Sequence, residues 1–333
     1  MQACPDPGSP RSSFLIVAVI LGMIALPAAL TLSRVRAPSV VDVSVPNPSP
    51  YGYTVSLLLF IVPIIAIGCW LVPRERITIS KKAFVRTIAI LFPAGVVLDF
   101  FFAHLFLKFP NADATLKIPA PALGAGGSGY TFIGSPRHVI VGSVPIEEYV
   151  FYLTGFVLVL LLYIWLDEYW LAAYSVPNDA SERVEFERLL RFHPHSLVLG
   201  IALILLAVLC RHFLAPTLPG FPGYFTFLAV SALGPSTVLF PAALPVINWR
   251  AFSLTLFVVL LTSLLWEATL GVPYGWWGYQ PAQMMGILIT AWDHLPIEAV
   301  FVWIAVSYQT AMVYEVIRRW QSSGKTARCA FLG

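Results

Sequence analysis

The chain has 333 residues, of which 58% are hydrophobic and only 11% are charged. A soluble globular domain carries about 25% charged residues, so this composition excludes an ordinary soluble protein and predicts an integral membrane protein. The net charge of +3 is small and spread along the chain, which argues against nucleic acid as a partner. The expected surroundings are the lipid bilayer.

Eight apolar runs have the length that an α-helix needs to cross the hydrocarbon core of a bilayer. We therefore predict an all-α fold, a polytopic membrane bundle of about eight transmembrane helices built from two four-helix repeats. The sixth run contains Pro235, Pro241 and Pro245, which predict a kinked or discontinuous helix. The runs lie at 14–32 and at about 54–72, 84–107, 146–166, 196–214, 224–247, 252–270 and 296–316.

The basic residues predict the orientation. With eight spans, most Lys and Arg side chains fall on one face of the membrane, which places both termini in the cytoplasm. In a bacterial cell the membrane would be the inner one. The predicted divisions are an N-terminal membrane repeat at 1–170, a charged connecting loop at 171–195, a C-terminal membrane repeat at 196–320 and a cytoplasmic tail at 321–333.

A Pro-Ile-Glu triplet opens a long apolar run twice, and its acids are Glu147 and Glu298. Each carboxylate would lie near a helix start, where the helix dipole favours the ionised form. The run before each triplet ends in an acid, Asp99 or Glu267. Because acids at membrane depth that recur tend to line a shared site, we predict that all four converge on one cavity. The plainer interpretation is a glutamate that caps its own helix.

Aromatic residues are dense around both triplets. An aromatic belt at the membrane interface explains them in part. They also suit a dry pocket in which aromatic faces stabilise a carbocation. The candidate substrate-binding residues are Tyr149, Tyr152, Trp276, Trp277, Tyr279, Trp292 and Trp303.

Asp293 and His294 are further catalytic candidates, because they lie about one helical turn before Glu298. The histidines do not form the clusters of a di-iron site, and the chain has no Asp-rich segment that would bind diphosphate through magnesium. The nearest acidic pair, Asp167 and Glu168, is more simply a solvated helix end. Gly124 to Gly129 matches the dinucleotide-binding glycine pattern but lacks the preceding strand and following helix. We therefore predict no metal and no cofactor.

Two segments resemble the membrane-embedded lycopene cyclases, the family found as paired small subunits or as fused chains. They are Gly142 to Tyr152 in the first half, and Trp277 to Pro281 together with Leu295 to Phe301 in the second. The resemblance implies a carotenoid cyclase that forms a β-ionone ring without net redox change. It also implies functional roles for Glu147, Glu148 and Glu298. The chain departs from the family pattern at Ala299, where a second acid can occur, and in the long loop at 108–143.

Ring formation needs a proton delivered to an alkene, a cation shielded from water and a proton removed from the ring. Glu147 and Glu298 suit the role of base or cation stabiliser. Glu148, Glu267 or Asp99 suits the role of neutral acid, and the sequence does not choose among them. The expected substrate is a hydrophobic polyene or isoprenoid. Two alternatives stay open: a carotenoid hydratase, in which water quenches the same cation, and a non-catalytic carrier whose paired acids bind protons.

Overall fold

The computed structural model describes residues 49–121, 143–175, 189–217 and 220–332. Seven helices in this part of the chain are long and apolar enough to cross a membrane. They correspond to seven of the eight predicted runs. The predicted first span at 14–32, the glycine-rich segment at 124–129 and most of the charged part of the connecting loop lie outside the described residues.

The protein is an all-α helical bundle and an integral membrane protein. Helices α1 and α2 are consecutive and together form one span. The helices are α1 Gly52–Ser56, α2 Leu58–Leu71, α3 Thr78–Phe106, α4 Ile146–Trp165, α5 Pro194–Leu214, α6 Gly223–Ala243, α7 Trp249–Trp266 and α8 Glu298–Ser322.

Local sequence sets several helix boundaries. Pro194 begins α5 at the first helical position, where its missing N–H costs nothing. The side chain of Asn248 caps α7 by accepting a hydrogen bond from the Ala251 amide at 3.2 Å. Helices α4 and α7 each continue into a short π-helical turn, at Leu166–Trp170 and Glu267–Gly271.

Of the two forms predicted for the sixth run, kinked or discontinuous, the discontinuous form is not observed. Helix α6 runs without a break from Gly223 to Ala243, with Pro235 and Pro241 inside it. Membrane helices tolerate internal proline because neighbouring helices and local adjustment satisfy the freed carbonyl groups. Pro245 lies beyond the end of the helix.

Helices α4 and α8 form the centre of the bundle and run parallel. Near their starts the rings of Phe151 and Trp303 lie 5.5 Å apart. At their ends Asp167 and Arg318 form an ion pair of 2.7 Å. Helices α3 and α7 run in the opposite direction, because Ser80 at the start of α3 donates a hydrogen bond to Glu168 just beyond α4, and Asn248 before α7 donates one to Asp167.

The bundle therefore has two distinct ends. We call the end that holds Glu147 and Glu298 the acid end, and the end that holds Asp167 and Arg318 the ion-pair end. In the described part of the chain, three short antiparallel strand pairs cover the acid end. They join β1 Leu107–Lys108 to β4 Gly278–Tyr279, β2 Pro119–Pro121 to β3 Ser143–Pro145, and β5 Leu288–Ile289 to β6 Leu295–Pro296.

The ion-pair end contradicts the simplest interpretation of Asp167 and Glu168, which is a solvated helix end. The side chain of Asp167 is fully buried. The guanidinium of Arg318 contacts Asp167 through Nη1 and the Glu315 carboxylate through Nε, the latter at 2.9 Å. Tyr163 also donates a hydrogen bond to Glu315 at 2.6 Å. This network joins the ends of the two central helices.

Candidate functional site

Glu147 is the second residue of the central helix α4 and binds the segment that precedes the helix. Its Oε1 accepts hydrogen bonds from the Leu116 amide at 2.7 Å and from the Thr54 hydroxyl at 2.5 Å. The neighbouring Ile146 amide donates to the Ile118 carbonyl at 3.0 Å. The two backbone contacts, at Leu116 and Ile118, hold the segment that leads into β2 against the start of α4.

Glu298 and its neighbour make the same backbone contacts in the second half. Its Oε1 accepts a short hydrogen bond from the Met285 amide. The preceding Ile297 amide donates to the Ile287 carbonyl at 3.0 Å. In both halves the amide bound by the glutamate lies three residues before the strand residue that pairs with the proline of the triplet. The triplets thus form a repeated structural unit of strand pair, proline and anchored glutamate.

The predicted convergence of Asp99, Glu147, Glu267 and Glu298 on one cavity is wrong, because no two of these four acids line the same one of the two cavities described below. Neither Glu147 nor Glu298 lines either of the two cavities described below. Each glutamate accepts a hydrogen bond from a backbone amide of its own half. The residue after the first triplet, Glu148, faces a cavity instead.

The first cavity has an empty volume of about 390 Å³ and is lined by Glu148 and Glu267. We call it the acid-pair cavity. Glu148 comes from the first turn of α4, and Glu267 comes from the π-helical turn that follows α7. The remaining lining residues are largely aromatic: Tyr53, Phe151, Tyr152, Tyr224, Trp266, Trp277 and Tyr279, with Leu107 and Val302.

Buried donors hold both carboxyl groups in place. Tyr53 donates to Oε2 of Glu148 at 2.9 Å. Glu267 accepts a short hydrogen bond from the Tyr279 hydroxyl and a second one from the Trp303 indole at 3.3 Å. Burial and the neighbouring Glu267 carboxyl raise the pKa of Tyr279 well above its ordinary value. This phenol therefore stays protonated and remains a donor.

The second cavity has an empty volume of about 620 Å³ and contains Asp99 in its wall. We call it the Asp99 cavity. The Asp99 side chain is 4% exposed, and among the described residues neither of its carboxyl oxygens has a hydrogen-bond partner. The two cavities share four lining residues, so at most one layer of side chains separates them. The shared residues are Leu107, Tyr152, Tyr224 and Val302.

Aromatic rings pack closely beside the acid pair. The ring centroids of Trp266 and Trp277 are 4.4 Å apart, and those of Phe151 and Trp266 are 5.2 Å apart. Tyr53 lies 5.1 Å from Trp277. Aromatic faces stabilise cations most strongly where water is excluded. The cavity can thus hold a carbocation near two carboxyl groups.

The other predicted site residues lie apart from these two cavities. The Trp276 indole donates to the Ser49 hydroxyl at 3.0 Å, and Tyr149 packs in the core at the acid end. Trp292 and Asp293 are half-buried in the turn between β5 and β6, and His294 beside them is exposed. Burial raises the pKa of Asp293, while His294 opposes that shift.

Two tyrosines that line the acid-pair cavity are not among the residues predicted from the sequence. Tyr53 is the second residue of α1, and Tyr224 is the second residue of α6. Each follows a glycine, Gly52 or Gly223. A Gly-Tyr pair at the start of a helix in both halves is the sequence signal that would have found them.

Comparison with known proteins adds no further assignment. No protein-family model, no curated protein and no solved structure matches the chain.

Proposed function

We propose that the protein is a membrane-embedded carotenoid cyclase that converts the linear end group of a lycopene-type polyene into a β-ionone ring. The observation that carries the proposal is the pairing of Glu148 and Glu267 in one aromatic-lined cavity at the acid end. The resemblance of both Pro-Ile-Glu segments to membrane-embedded lycopene cyclases supports the same reaction.

The reaction balances without an oxidant or reductant. One carboxyl group of the pair donates its proton to the terminal double bond of the polyene. The resulting tertiary cation is attacked by a nearby double bond of the same chain, so that a carbon–carbon bond closes the ring. The second carboxylate then removes a proton from the ring, and the product is an isomer of the substrate.

The surroundings of the pair suit the two roles. Glu267 accepts hydrogen bonds from Tyr279 and Trp303, and Glu148 accepts one from Tyr53. Hydrogen bonds to a carboxylate favour its charged form, so the more fully bonded Glu267 is assigned as base and Glu148 as acid. The faces of Trp266 and Trp277 stabilise the cation between the two proton transfers.

The test is expression of the chain in a host that accumulates lycopene, followed by chromatography and mass spectrometry of the pigments. A product with a β-ring and an unchanged mass supports the cyclase. A tertiary alcohol would assign a hydratase, and an unchanged pigment profile at normal protein abundance would favour a carrier. Variants Glu148→Gln and Glu267→Gln serve as inactive controls of similar size.

A further inference from the structure

The Asp99 cavity lies between α3 and α6, and helices α4 and α8 form its inner wall. Aromatic rings of α3 and α6 meet at its side towards the acid end. The ring centroids of Phe102 and Phe227 are 5.4 Å apart, and those of Phe106 and Tyr224 are 4.9 Å apart. The empty volume of about 620 Å³ lies within the range of roughly 300–1,000 Å³ that is usual for small-molecule sites.

Three polar side chains from three different helices line this cavity: Asp99, Ser231 and Gln309. Asp99 lies seven residues before the end of α3, Ser231 eight residues after the start of α6, and Gln309 eleven residues after the start of α8. At 1.5 Å per residue, these positions are roughly 10 to 17 Å from the acid end of the bundle. Polar residues that face a cavity at membrane depth indicate a functional site.

Asp99 shows which chemical group this cavity lacks. Its side chain is buried and lines the cavity, and in the described part of the chain neither of its carboxyl oxygens has a hydrogen-bond partner. A buried acceptor without a donor is costly. A ligand that supplies a donor at this position therefore gains affinity. Much of the remaining wall is apolar, with Leu98, Leu228 and Ala305 among its residues, so the rest of the ligand should be apolar as well.

A hydroxyl group suits this environment better than an ammonium group. Both can donate a hydrogen bond to Asp99, but an ammonium group would have to leave water and carry its charge into a largely apolar wall. A hydroxyl group carries no charge. It also accepts hydrogen bonds, and the side chains of Ser231 and Gln309 in the same wall can donate them.

We propose that the Asp99 cavity is a separate binding site for a lipid-soluble alcohol, whose hydroxyl group donates a hydrogen bond to Asp99 while its apolar chain packs against α6 and α8. This ligand is a different molecule from the polyene, because the four lining residues that the two cavities share form a wall between them. The bound alcohol would pack against one side of Tyr152 and Tyr224, whose other side faces the acid-pair cavity. Binding does not depend on the proposed cyclase activity.

The test is photo-crosslinking of the full-length protein in lipid nanodiscs. The probe is a ten-carbon alcohol that carries a photoreactive diazirine at the end opposite its hydroxyl group, and the labelled peptides are identified by mass spectrometry. The matched control probe is the methyl ether of the same alcohol, which keeps the chain and the acceptor oxygen but has no donor. We expect saturable labelling of the cavity-lining segments of α3, α6 or α8, with the ether needing about tenfold higher concentration.

Four variants locate the effect. Asp99→Leu should lower labelling by the alcohol to the level of the ether, and Asp99→Asn, which keeps an acceptor oxygen, should retain part of the preference. Ala305→Phe should weaken labelling by both probes because it fills the cavity. Ala94→Phe, on the exposed face of α3, should change neither. The comparison of the two probes on the unaltered protein needs no variant, so it stands even where a variant fails to fold.

Three results would overturn the proposal. They are equal labelling by the alcohol and its ether, a preference for the alcohol that survives Asp99→Leu, and labelling confined to segments outside the cavity. Stronger labelling by the corresponding amine than by the alcohol would also overturn it and assign the site to an ammonium group. Because neither probe is a polyene, these results leave the cyclase proposal to its own test with lycopene.

Discussion

At the scale of single residues, four carboxyl groups at the acid end form two pairs with different roles. Glu147 and Glu298 accept backbone amides and anchor the strand pairs. Glu148 and Glu267 face the acid-pair cavity. Because a glutamine carbonyl can also accept a backbone amide, the two pairs should respond differently to loss of charge.

We expect Glu267→Gln to lower the rate of ring formation about a hundredfold or more, the usual scale for a missing acid or base. Glu298→Gln should leave the rate within a few-fold, since its amide oxygen can still bind Met285, at a stability cost on the order of 1 kcal/mol. Pigment composition and the abundance of each variant in the membrane check the prediction. Equal loss of activity in both variants, at normal abundance, would contradict the prediction and assign Glu298 a catalytic role.

The sequence predicted the acidic character of the site but not which acids face the cavity. The repeat of Pro-Ile-Glu directs attention to the repeated residues, whereas successive helical residues point about 100° apart. Helix α4 is buried on most of its surface, so its apolar pattern does not reveal its rotation. Only the packing of neighbouring helices shows that Glu148 faces Trp277 and Glu267 across the cavity.

At the scale of elements, the π-helical turn after α7 packs closely against the wall of the acid-pair cavity. A β-carbon placed on Gly271 would overlap the indole of Trp277. That indole lines the acid-pair cavity. Glycine is therefore required at this position to allow the ring its place.

Gly271→Ala should displace the Trp277 ring, lower activity about tenfold or more and destabilise the fold by about 1–3 kcal/mol, as overpacking does. Gly68→Ala, inside α2, is the matched control, because a β-carbon there meets no atom within 4 Å. The control should be neutral or slightly stabilising. Both are measured by pigment analysis and thermal unfolding in detergent. Equal activity and equal thermal stability of the two variants would show that the Trp277 ring does not require glycine at position 271.

The buried ion pairs at the ion-pair end lead to a separate prediction about stability. Arg318→Met leaves the buried carboxyl groups of Asp167 and Glu315 without their cation, and breaking such a pair costs about 3–5 kcal/mol. The melting temperature in detergent should fall clearly. Lys117→Met, which breaks the exposed pair with Asp113, should not change it measurably. An unchanged melting temperature in Arg318→Met would mean that the network does not join α4 to α8.

The sequence predicted the spans well because hydrophobic length is a strong signal. Seven of the predicted runs are helices, within several residues at each end. It failed at Asp167, which was expected to be solvated, and of the kinked or discontinuous helix predicted at α6 the discontinuous form is not observed. The failure at Asp167 has a physical cause: Arg318, which supplies the guanidinium, is distant from it in sequence.

The whole molecule has a predicted orientation that follows from its basic residues. Both termini should lie in the cytoplasm, and the acid end should face the opposite side of the membrane. A reporter fused after Gly333 that is active only in the cytoplasm tests this directly. A reporter active only outside the cytoplasm would reverse the orientation, with no consequence for the bundle itself.

At the scale of the whole molecule, the central claim is that an enclosed pair of carboxyl groups closes a ring by adding one proton and removing another. The most direct measurement is the product mass after reaction of the protein with lycopene in deuterated water. The donated proton then comes from an exchanged carboxyl group, so each new ring should carry one deuterium and be one mass unit heavier than its counterpart formed in ordinary water. A ring without deuterium, or a product that has gained the elements of water, would contradict the account.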